Sequence, residues 1–193
     1  MGKELLSKKN NNFFSVYNMS VIAVMTALSL VLSEFPKIRI LFLDIDFSDV
    51  PIVFSAVYIH PLTGVLIALI KNAVGLATSS TMFVGELSNF VLSCVYSLTA
   101  SLMFFKSRTK PKIVLSCLTA ILAVVIAAMF TNYFVMLPLY VKLYGLDALR
   151  GLSKTMFILT IILPFNLAKW GLETGVFLAL YLSLYRVLDK IKP

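Results

Sequence analysis

Long apolar runs without charged residues alternate along this chain with short clusters that carry most of its charges. Uncharged apolar runs of roughly 20 residues are typical of helices that cross a membrane. The second long run is broken at His60-Pro61, because proline favours the first turn of a new helix and disfavours helical geometry in the residue before it. The pattern predicts a connecting loop at residues 34–48 and six helices, at about residues 13–33, 49–60, 61–77, 83–106, 112–140 and 153–190.

Composition supports a chain that is embedded in a membrane. Of its 193 residues, 60% are hydrophobic and 13% are charged, whereas an average soluble domain has roughly 25% charged residues. We therefore predict an all-α membrane protein in which residues 1–193 form one domain, a single bundle of six transmembrane helices. The 17 Lys and Arg residues that produce the net charge of +8 cluster between apolar runs. Because such clusters are typical of topology signals, the expected partner is the lipid bilayer and not nucleic acid.

The distribution of basic residues predicts the orientation of the bundle. If the amino terminus is cytoplasmic, ten Lys and Arg residues lie on the inner side and five on the outer side. Loops on the cytoplasmic side carry the excess of positive charge, so both termini are predicted to lie inside. The connecting loop at 34–48 then faces the exterior.

Polar residues within the predicted helices fall at one depth. With a rise of ~1.5 Å per residue, Glu86, Asn132 and Lys169 each lie about 26–30 Å from the basic residues at the inner ends of their helices. All three are therefore near the outer edge of a hydrocarbon core ~30 Å thick. Asn166 lies one turn from Lys169 on the same helix face. The pattern predicts a polar pocket that lies beneath the connecting loop and opens to the outside.

Three carboxylates, Asp44, Asp46 and Asp49, lie within six residues between two long apolar stretches. Asp49 precedes His60 by eleven residues, and Lys71 follows His60 by eleven. Equal rise on the two arms of a helical hairpin brings both side chains to one depth, so we predict a buried Asp49–Lys71 ion pair with a structural role. Asp44 and Asp46 are instead assigned to a loop that caps the pocket.

Each polar residue also has a purely structural interpretation. Lys169 and Glu173 are four residues apart and can pair along their helix. Asn132 can join two helices by a hydrogen bond, and Glu86 can interact favourably with a helix amino terminus. Trp170 can pack within the bundle instead of stacking on a ligand.

Several kinds of chemistry find no support in the sequence. The chain has no G-x-x-x-x-G-K-[ST] phosphate-binding loop. Its single His and its two Cys, Cys94 and Cys117, offer no spacing suited to a metal ion or to a disulfide framework. No nucleophile, base and acid can be assembled at a common depth. We therefore predict neither an enzyme nor a resident cofactor or metal.

Five segments of the chain, in order, resemble one family of membrane proteins. They are Asp46-Phe-Ser-Asp-Val-Pro51, Pro61-Leu-Thr-Gly64 with Lys71-Asn72, Gly85-Glu-Leu-Ser-Asn-Phe90, Asn132-Tyr133 with Leu137-Pro138, and Leu163-Pro-Phe-Asn-Leu-Ala-Lys169. Together they are similar to the riboflavin-specific S component of energy-coupling factor (ECF) transporters. The resemblance implies a subunit in the plasma membrane of a prokaryote that captures riboflavin from outside, as a transported ligand and not as a cofactor. It also implies delivery together with a transmembrane coupling subunit and two ATPase subunits.

The resemblance further implies roles for particular residues. Ala23 and Ala27 are similar to the A-x-x-x-A surface by which the family contacts its coupling subunit. The amides and the ammonium group of the pocket are expected to bind the polar groups of riboflavin, and the loop backbone with Ile45 is expected to close over the ring. At Asp44 the sequence departs from the family, where a basic residue is expected. With Glu86, which depth alone places in the pocket, the predicted substrate-binding residues are Leu43, Asp44, Ile45, Asp46, Glu86, Asn132, Asn166 and Lys169.

Three other functions remain open on the sequence. The same fold would serve as an S component for another vitamin, such as thiamine, or for a flavin nucleotide. An autonomous secondary transporter would use Lys71, Glu86 and Lys169 as a proton relay. A membrane-embedded enzyme would need a nucleophile or a set of metal ligands that the sequence does not supply.

Overall fold

The computed structural model describes residues 15–35, 37–40, 43–78, 83–105, 110–145 and 151–191. A 3₁₀ turn, Leu76–Thr78, extends the third helix, and the π-helical segments Asn132–Met136 and Ile158–Ile162 each join two α-helices. The elements in chain order are α1 Val16–Glu34, β1 Ile38–Ile40, β2 Leu43–Ile45, α2 Asp49–Tyr58, α3 Pro61–Gly75, α4 Val84–Phe105, α5 Lys110–Thr131, α6 Leu137–Tyr144, α7 Lys154–Phe157 and α8 Leu163–Ile191. The architecture is that of an all-α bundle, with one short β-hairpin that the sequence did not predict.

Among the described residues, four helical stretches are long and apolar enough to cross a membrane: Val16–Glu34, Val84–Phe104, Pro111–Leu143 and Lys154–Leu184. α2 and α3 are apolar but have only 10 and 15 residues. They are therefore about 15 and 22 Å long, less than the ~30 Å of a hydrocarbon core. Helix length and composition thus indicate a multi-pass membrane protein with four full-length candidate spans and a shorter helical pair after the first.

α1 contacts the rest of the bundle through one narrow stripe. Ile22, Thr26 and Ser29 are buried and lie three or four residues apart, so they share one face of the helix. Val24 and Val31 are more than 60% exposed, as is expected of side chains that face lipid. Most of the α1 surface is therefore available to lipid or to another protein.

α2 lies in the interior and packs against α1, α3, α4 and α8. It turns into α3 at His60-Pro61, where the sequence predicted the break. His60 is extended, and its Nδ1 accepts a hydrogen bond of 3.2 Å from the backbone N–H of Leu62 at the start of α3. This side-chain cap and the proline at the first helical position explain why α3 begins here.

Gly64 lets α3 approach its neighbours closely. A Cβ atom at this position would lie 2.8 Å from Cβ of Ala56 on α2 and 2.9 Å from Oγ of Ser97 on α4. Small residues permit such close helix packing within membranes. Because Lys71 follows two turns later on α3, this contact helps to fix the position of its ammonium group.

The connecting loop at 34–48 differs from the prediction. α1 continues to Glu34, and β1 and β2 form an antiparallel hairpin in which Arg39 lies opposite Asp44. Both strands alternate apolar and charged residues, which is the period-2 pattern of a strand. Three residues per strand are too few for this signal to stand out in a chain dominated by helices. The hairpin ends directly before Asp46 and so sets the point at which the acidic segment enters the bundle.

The helices predicted at 112–140 and 153–190 are each interrupted by one π-helical turn, at Asn132–Met136 and Ile158–Ile162. In both turns the N–H of the next leucine, Leu137 or Leu163, donates to the carbonyl five residues earlier. Each leucine precedes a proline, which has no N–H and whose ring crowds the carbonyl four residues back. As a result, Asn132 begins one π turn, and π turns are frequent at functional sites.

Candidate binding site

A cavity lies between the connecting loop and the ends of several helices. It encloses about 990 Å³ of empty space when its opening to solvent is included. Leu92, Met136 and Trp170 contribute apolar wall. The charged and amide side chains on its wall are Glu34, Lys37, Asp44, Asp46, Lys71, Asn72, Glu86, Asn89, Asn132, Asn166 and Lys169.

Asn132 and Asn166 place buried amide groups on the cavity wall. Their Nδ2 atoms donate hydrogen bonds of 2.8 Å to the carbonyl oxygens of Ala128 and Ile162, respectively. Oδ1 of Asn166 also accepts a bond of 3.3 Å from Nε1 of Trp170. Each amide carbonyl oxygen can accept a hydrogen bond from a ligand, and each amide nitrogen keeps a second N–H that can donate one.

Lys169 holds its ammonium group between two acidic side chains. Nζ lies 3.8 Å from Oδ2 of Asp46 and 3.9 Å from Oε1 of Glu173. It also lies 5.7 Å from the ring centroid of Trp170. Lys169 is only 3% exposed, so a carbonyl group that enters the cavity would meet a buried donor whose charge is already stabilised.

Ser48 connects the acidic segment to α1 and α3. Oδ1 of Asp46 accepts hydrogen bonds from the hydroxyl of Ser48 and, at 2.8 Å, from its backbone N–H. Oγ of Ser48 accepts a bond of 2.8 Å from Nζ of Lys71, and its carbonyl accepts one of 2.7 Å from Oγ of Ser29. Through Asp46 and Lys169 the same segment is joined to α8, so one serine links the loop to three helices.

Asp49 completes a buried ionic cluster. Its Oδ2 lies 3.9 Å from Nζ of Lys71, and its side chain is 1% exposed. Oxygen atoms of Asp46, Asp49 and Glu173 lie within 4.8 Å of one another. In the described part of the chain, Asp49 and Glu173 make ion pairs but no side-chain hydrogen bonds. The cluster thus contains three acidic groups and the two ammonium groups of Lys71 and Lys169, so its balance depends strongly on each lysine.

The pKa of Asp46, which lies in the loop before α2, is below its ordinary value of 3.8. Burial by itself would raise this pKa. The ammonium groups of Lys169 and Lys71 and the hydrogen bonds from Ser48 lower it, and they outweigh burial. Asp46 is therefore ionised at neutral pH and presents a fixed negative charge to Lys169.

The charged side chains at the opening of the cavity are more exposed to solvent than those at its deep end. Nζ of Lys37 lies 3.5 Å from Oδ2 of Asp44 and 3.7 Å from Oε1 of Glu34. Side-chain exposure is 25% for Lys37, 18% for Asp44 and 64% for Glu34. Glu86, in the first turn of α4, also lines the cavity. Partly solvated charges therefore surround the mouth, and buried amides and a buried ion pair form the deep wall.

Residues 18–181 match the family model of the substrate-specific component, or S component, of ECF transporters. This chain belongs to that family. The riboflavin transporter RibU of Staphylococcus aureus is 29% identical to this S component over 190 residues, which cover 98% of each chain. The riboflavin transporter FmnP of Bacillus subtilis is 30% identical over 146 residues, which cover 74% of this chain and 77% of that protein.

A solved structure of the S component of a bacterial ECF transporter has the same fold. It superposes with a TM-score of 0.73 at 29% sequence identity, and the match covers 91% of this chain and 97% of that one. The bundle and its cavity therefore belong to a known class of transporter subunit that selects the substrate. The family is one of transport components and not of enzymes.

Most residues predicted from the sequence meet at the cavity of this S component. Ile45 is half-buried in β2 and is not among the lining side chains, whereas Lys71 lines the cavity and also approaches Asp49 in the buried cluster behind the wall. Ala23 and Ala27 are exposed on α1. The predicted substrate-binding residues that line the cavity are Leu43, Asp44, Asp46, Glu86, Asn132, Asn166 and Lys169.

Two side chains of the site had no predicted role in ligand binding. Ser48 lies between two aspartates, and an Asp-x-Ser spacing allows the local side-chain contact that forms here. Glu173 was predicted only as a helical partner of Lys169, and that pair is present. Its proximity to Asp46 depends on the path of the loop, which helical periodicity does not give.

Trp170 packs against Tyr96, with 4.7 Å between ring centroids, and lines the cavity as well.

Proposed function

We propose that this S component binds riboflavin in the cavity, captures it from outside the cell and delivers it to an ECF module. The named riboflavin transporters of two organisms align with 98% and 74% of this chain, which supports the ligand. The observation that carries the proposal is the convergence of Asn132, Asn166 and Lys169 on one cavity wall. Riboflavin is the cargo in this proposal and not a cofactor.

The polar edge of riboflavin suits these three side chains. Its isoalloxazine ring is flat and carries an imide N–H between two carbonyl groups. The carbonyl oxygens of Asn132 and Asn166 are suited to the N–H, and the ammonium group of Lys169 is suited to a ring carbonyl. Leu92 and Trp170 offer apolar surface to the rest of the ring. We retain the prediction that the loop backbone near Ile45 closes over the ring.

The proposal includes six membrane segments in one domain, with both termini inside. The distribution of basic residues supports this orientation. α2 and α3 would be the second and third segments, and the near-complete burial of α2 in the bundle supports a place within the membrane. The proposed location is the plasma membrane of a prokaryote. Attachment of a membrane-impermeant label to single cysteines introduced in the loop and at the amino terminus tests the orientation, and labelling of the amino terminus from outside would contradict it.

The proposed partners are a transmembrane coupling subunit and two ATPase subunits, with contact through α1. The exposure of Ala23 and Ala27 on one face supports a close helix approach. Ala23→Trp and Ala27→Trp should preserve riboflavin binding but prevent co-purification with a co-expressed ECF module. Leu122→Trp, at a 62% exposed site on α5, is the control. If the alanine variants co-purify as well as this control, contact lies elsewhere.

Riboflavin binding is tested on the purified chain. We expect a visible flavin absorbance spectrum and a saturable titration that follows quenching of riboflavin fluorescence. Asn166→Ala and Lys169→Ala should each weaken binding by at least about tenfold, since each leaves a buried polar group of the ligand unpaired. Leu167→Ala, at a 49% exposed site on the same helix, is the matched control. Unchanged riboflavin affinity in both polar variants would overturn the proposed site.

A further inference from the structure

We propose that the mouth of the cavity selects against anionic ligands, and that Asp44 is a residue that determines this selectivity. The substrate class that follows is the uncharged flavin in preference to its phosphate ester. This inference rests on the proposed riboflavin function and concerns the end of the ligand that points outward. It does not concern the ring that the amides bind.

The solvent exposure of the side chains along the cavity wall indicates which end of the ligand points outward. Buried donors and acceptors suit the polar edge of the ring, so the ring occupies the deep end and the sugar-alcohol chain extends toward the mouth. The terminal hydroxyl of that chain carries the phosphate in flavin mononucleotide. The phosphate would therefore lie among the partly exposed side chains Glu34, Lys37 and Asp44. The deep side chains, all at most 4% exposed, are Asn132, Asn166, Lys169 and Trp170.

Every lysine on the described cavity wall already lies within 3.9 Å of a carboxylate. Lys37 contacts Asp44 and Glu34 at 3.5 and 3.7 Å. Lys71 pairs with an acid behind the wall at 3.9 Å, and Lys169 lies between two acids at 3.8 and 3.9 Å. A phosphate that approaches any of these ammonium groups would have to compete with a carboxylate for it.

Carboxylates also outnumber lysines among the described wall residues. A phosphate monoester carries a charge of about −1.5 to −2 at neutral pH, so it meets repulsion where the hydroxyl of riboflavin meets none. Asp44 has the central position in this arrangement, because it faces Lys37, the lysine nearest to the mouth. The wall residues concerned are Glu34, Asp44, Asp46 and Glu86 against Lys37, Lys71 and Lys169.

The test compares riboflavin with flavin mononucleotide on the purified full chain by fluorescence titration. We expect flavin mononucleotide to bind at least roughly tenfold more weakly at low ionic strength. The ratio of the two dissociation constants should fall as salt is added, because salt screens exposed charges and riboflavin is uncharged. Asp44→Asn should lower the ratio at least about threefold, and Lys37→Gln should raise it, since the two changes have opposite sign at one place.

Two results would overturn the inference. One is equal affinity for both flavins, within about twofold. The other is a preference for riboflavin that neither salt nor Asp44→Asn alters, because a narrow mouth would then account for it without charge. Neither result touches the proposed function, which fails only if riboflavin itself does not bind. Reading the ratio of the two constants removes any general loss of affinity that a variant causes.

Discussion

Lys71→Met is expected to destabilise this S component strongly. Lys71 provides one of two ammonium groups in the buried cluster with Asp46, Asp49 and Glu173. Methionine keeps most of the volume but removes the ion pair with Asp49 and the hydrogen bond of 2.8 Å to Ser48. Removing one partner of a buried ion pair lowers the free energy of unfolding by roughly 3–5 kcal/mol, and we expect Lys71→Met to lower it by an amount in that range.

The charge balance of the cluster predicts that Lys71 and Asp49 do not contribute equally to stability. Ionised carboxylates whose oxygen atoms lie at most 4.8 Å apart repel by roughly 3.5 kcal/mol at an effective dielectric constant of about 20. Lys71→Met leaves three acidic groups with one lysine, whereas Asp49→Asn leaves two acidic groups with two lysines. Asp49→Asn should therefore lower the free energy of unfolding by less than half as much as Lys71→Met does. In the double variant Lys71→Met/Asp49→Asn, the loss of unfolding free energy should be smaller than the sum of the two single losses, because the two side chains interact.

Thermal unfolding in detergent, with riboflavin titration on the same samples, measures these differences. At roughly 2–4 °C per kcal/mol for a chain of this size, Lys71→Met should lower the unfolding temperature by roughly 6–20 °C. Lys142→Met, at an exposed lysine on α6, controls for the loss of a positive charge. The reasoning fails if Lys71→Met leaves stability and binding intact while Asp49→Asn abolishes both. Asp49 would then act without Lys71.

Two further predictions concern packing and pH. Gly64→Ala should cost about 1–3 kcal/mol of unfolding free energy, because the added Cβ would lie 2.8 Å from Ala56 and 2.9 Å from Ser97. Gly171→Ala is the control: an added Cβ there has nothing within 4 Å, so this variant should show no measurable loss in the same thermal assay. Equal losses in both variants would contradict this account of α3. The pKa of Asp46 is lowered from 3.8 in the folded state, so its stabilising contribution should be present above that pH and be lost as the pH falls through the folded value. Unfolding measured from about pH 5 to about pH 2 should show this loss in the wild type and less of it in Asp46→Asn, and equal pH dependence in both would count against it.

Uniform helix rise explains why the convergence of polar residues on one cavity could be predicted from the sequence. Glu86, Asn132 and Lys169 are far apart in sequence, but each lies on a predicted helix with basic residues near one end, so spacing converts into distance along the helix. The structure has all three on one cavity wall. The same equal-rise argument on the two arms of the α2–α3 pair anticipated the proximity of Asp49 and Lys71, which are 3.9 Å apart.

Features without helical periodicity could not be placed in this way. The strands of the connecting loop are three residues long, and Ile45 in β2 is not among the side chains that line the cavity. The partner of Asp46 also depends on the path of this loop, so the contact with Lys169 had no signal in the spacing. The π turns had a signal in Leu137-Pro138 and Leu163-Pro164, because proline disrupts the hydrogen bonds of the preceding turn. Depth alone does not reveal that disruption, since a π turn changes the register by only one residue.

Lys169 has a double role that follows from these contacts. Its ammonium group lies on the cavity wall and also pairs with Asp46, which belongs to the connecting loop. An ammonium group has three donors, so a ring carbonyl and Asp46 can bind it at the same time. A ligand that binds in this way stabilises the attachment of the loop, and by thermodynamic reciprocity an attached loop strengthens the binding of that ligand by the same factor. In the proposed binding mode, attachment of the loop and recognition of the ligand are therefore coupled through one side chain. A cavity held only by apolar contacts would lack this link.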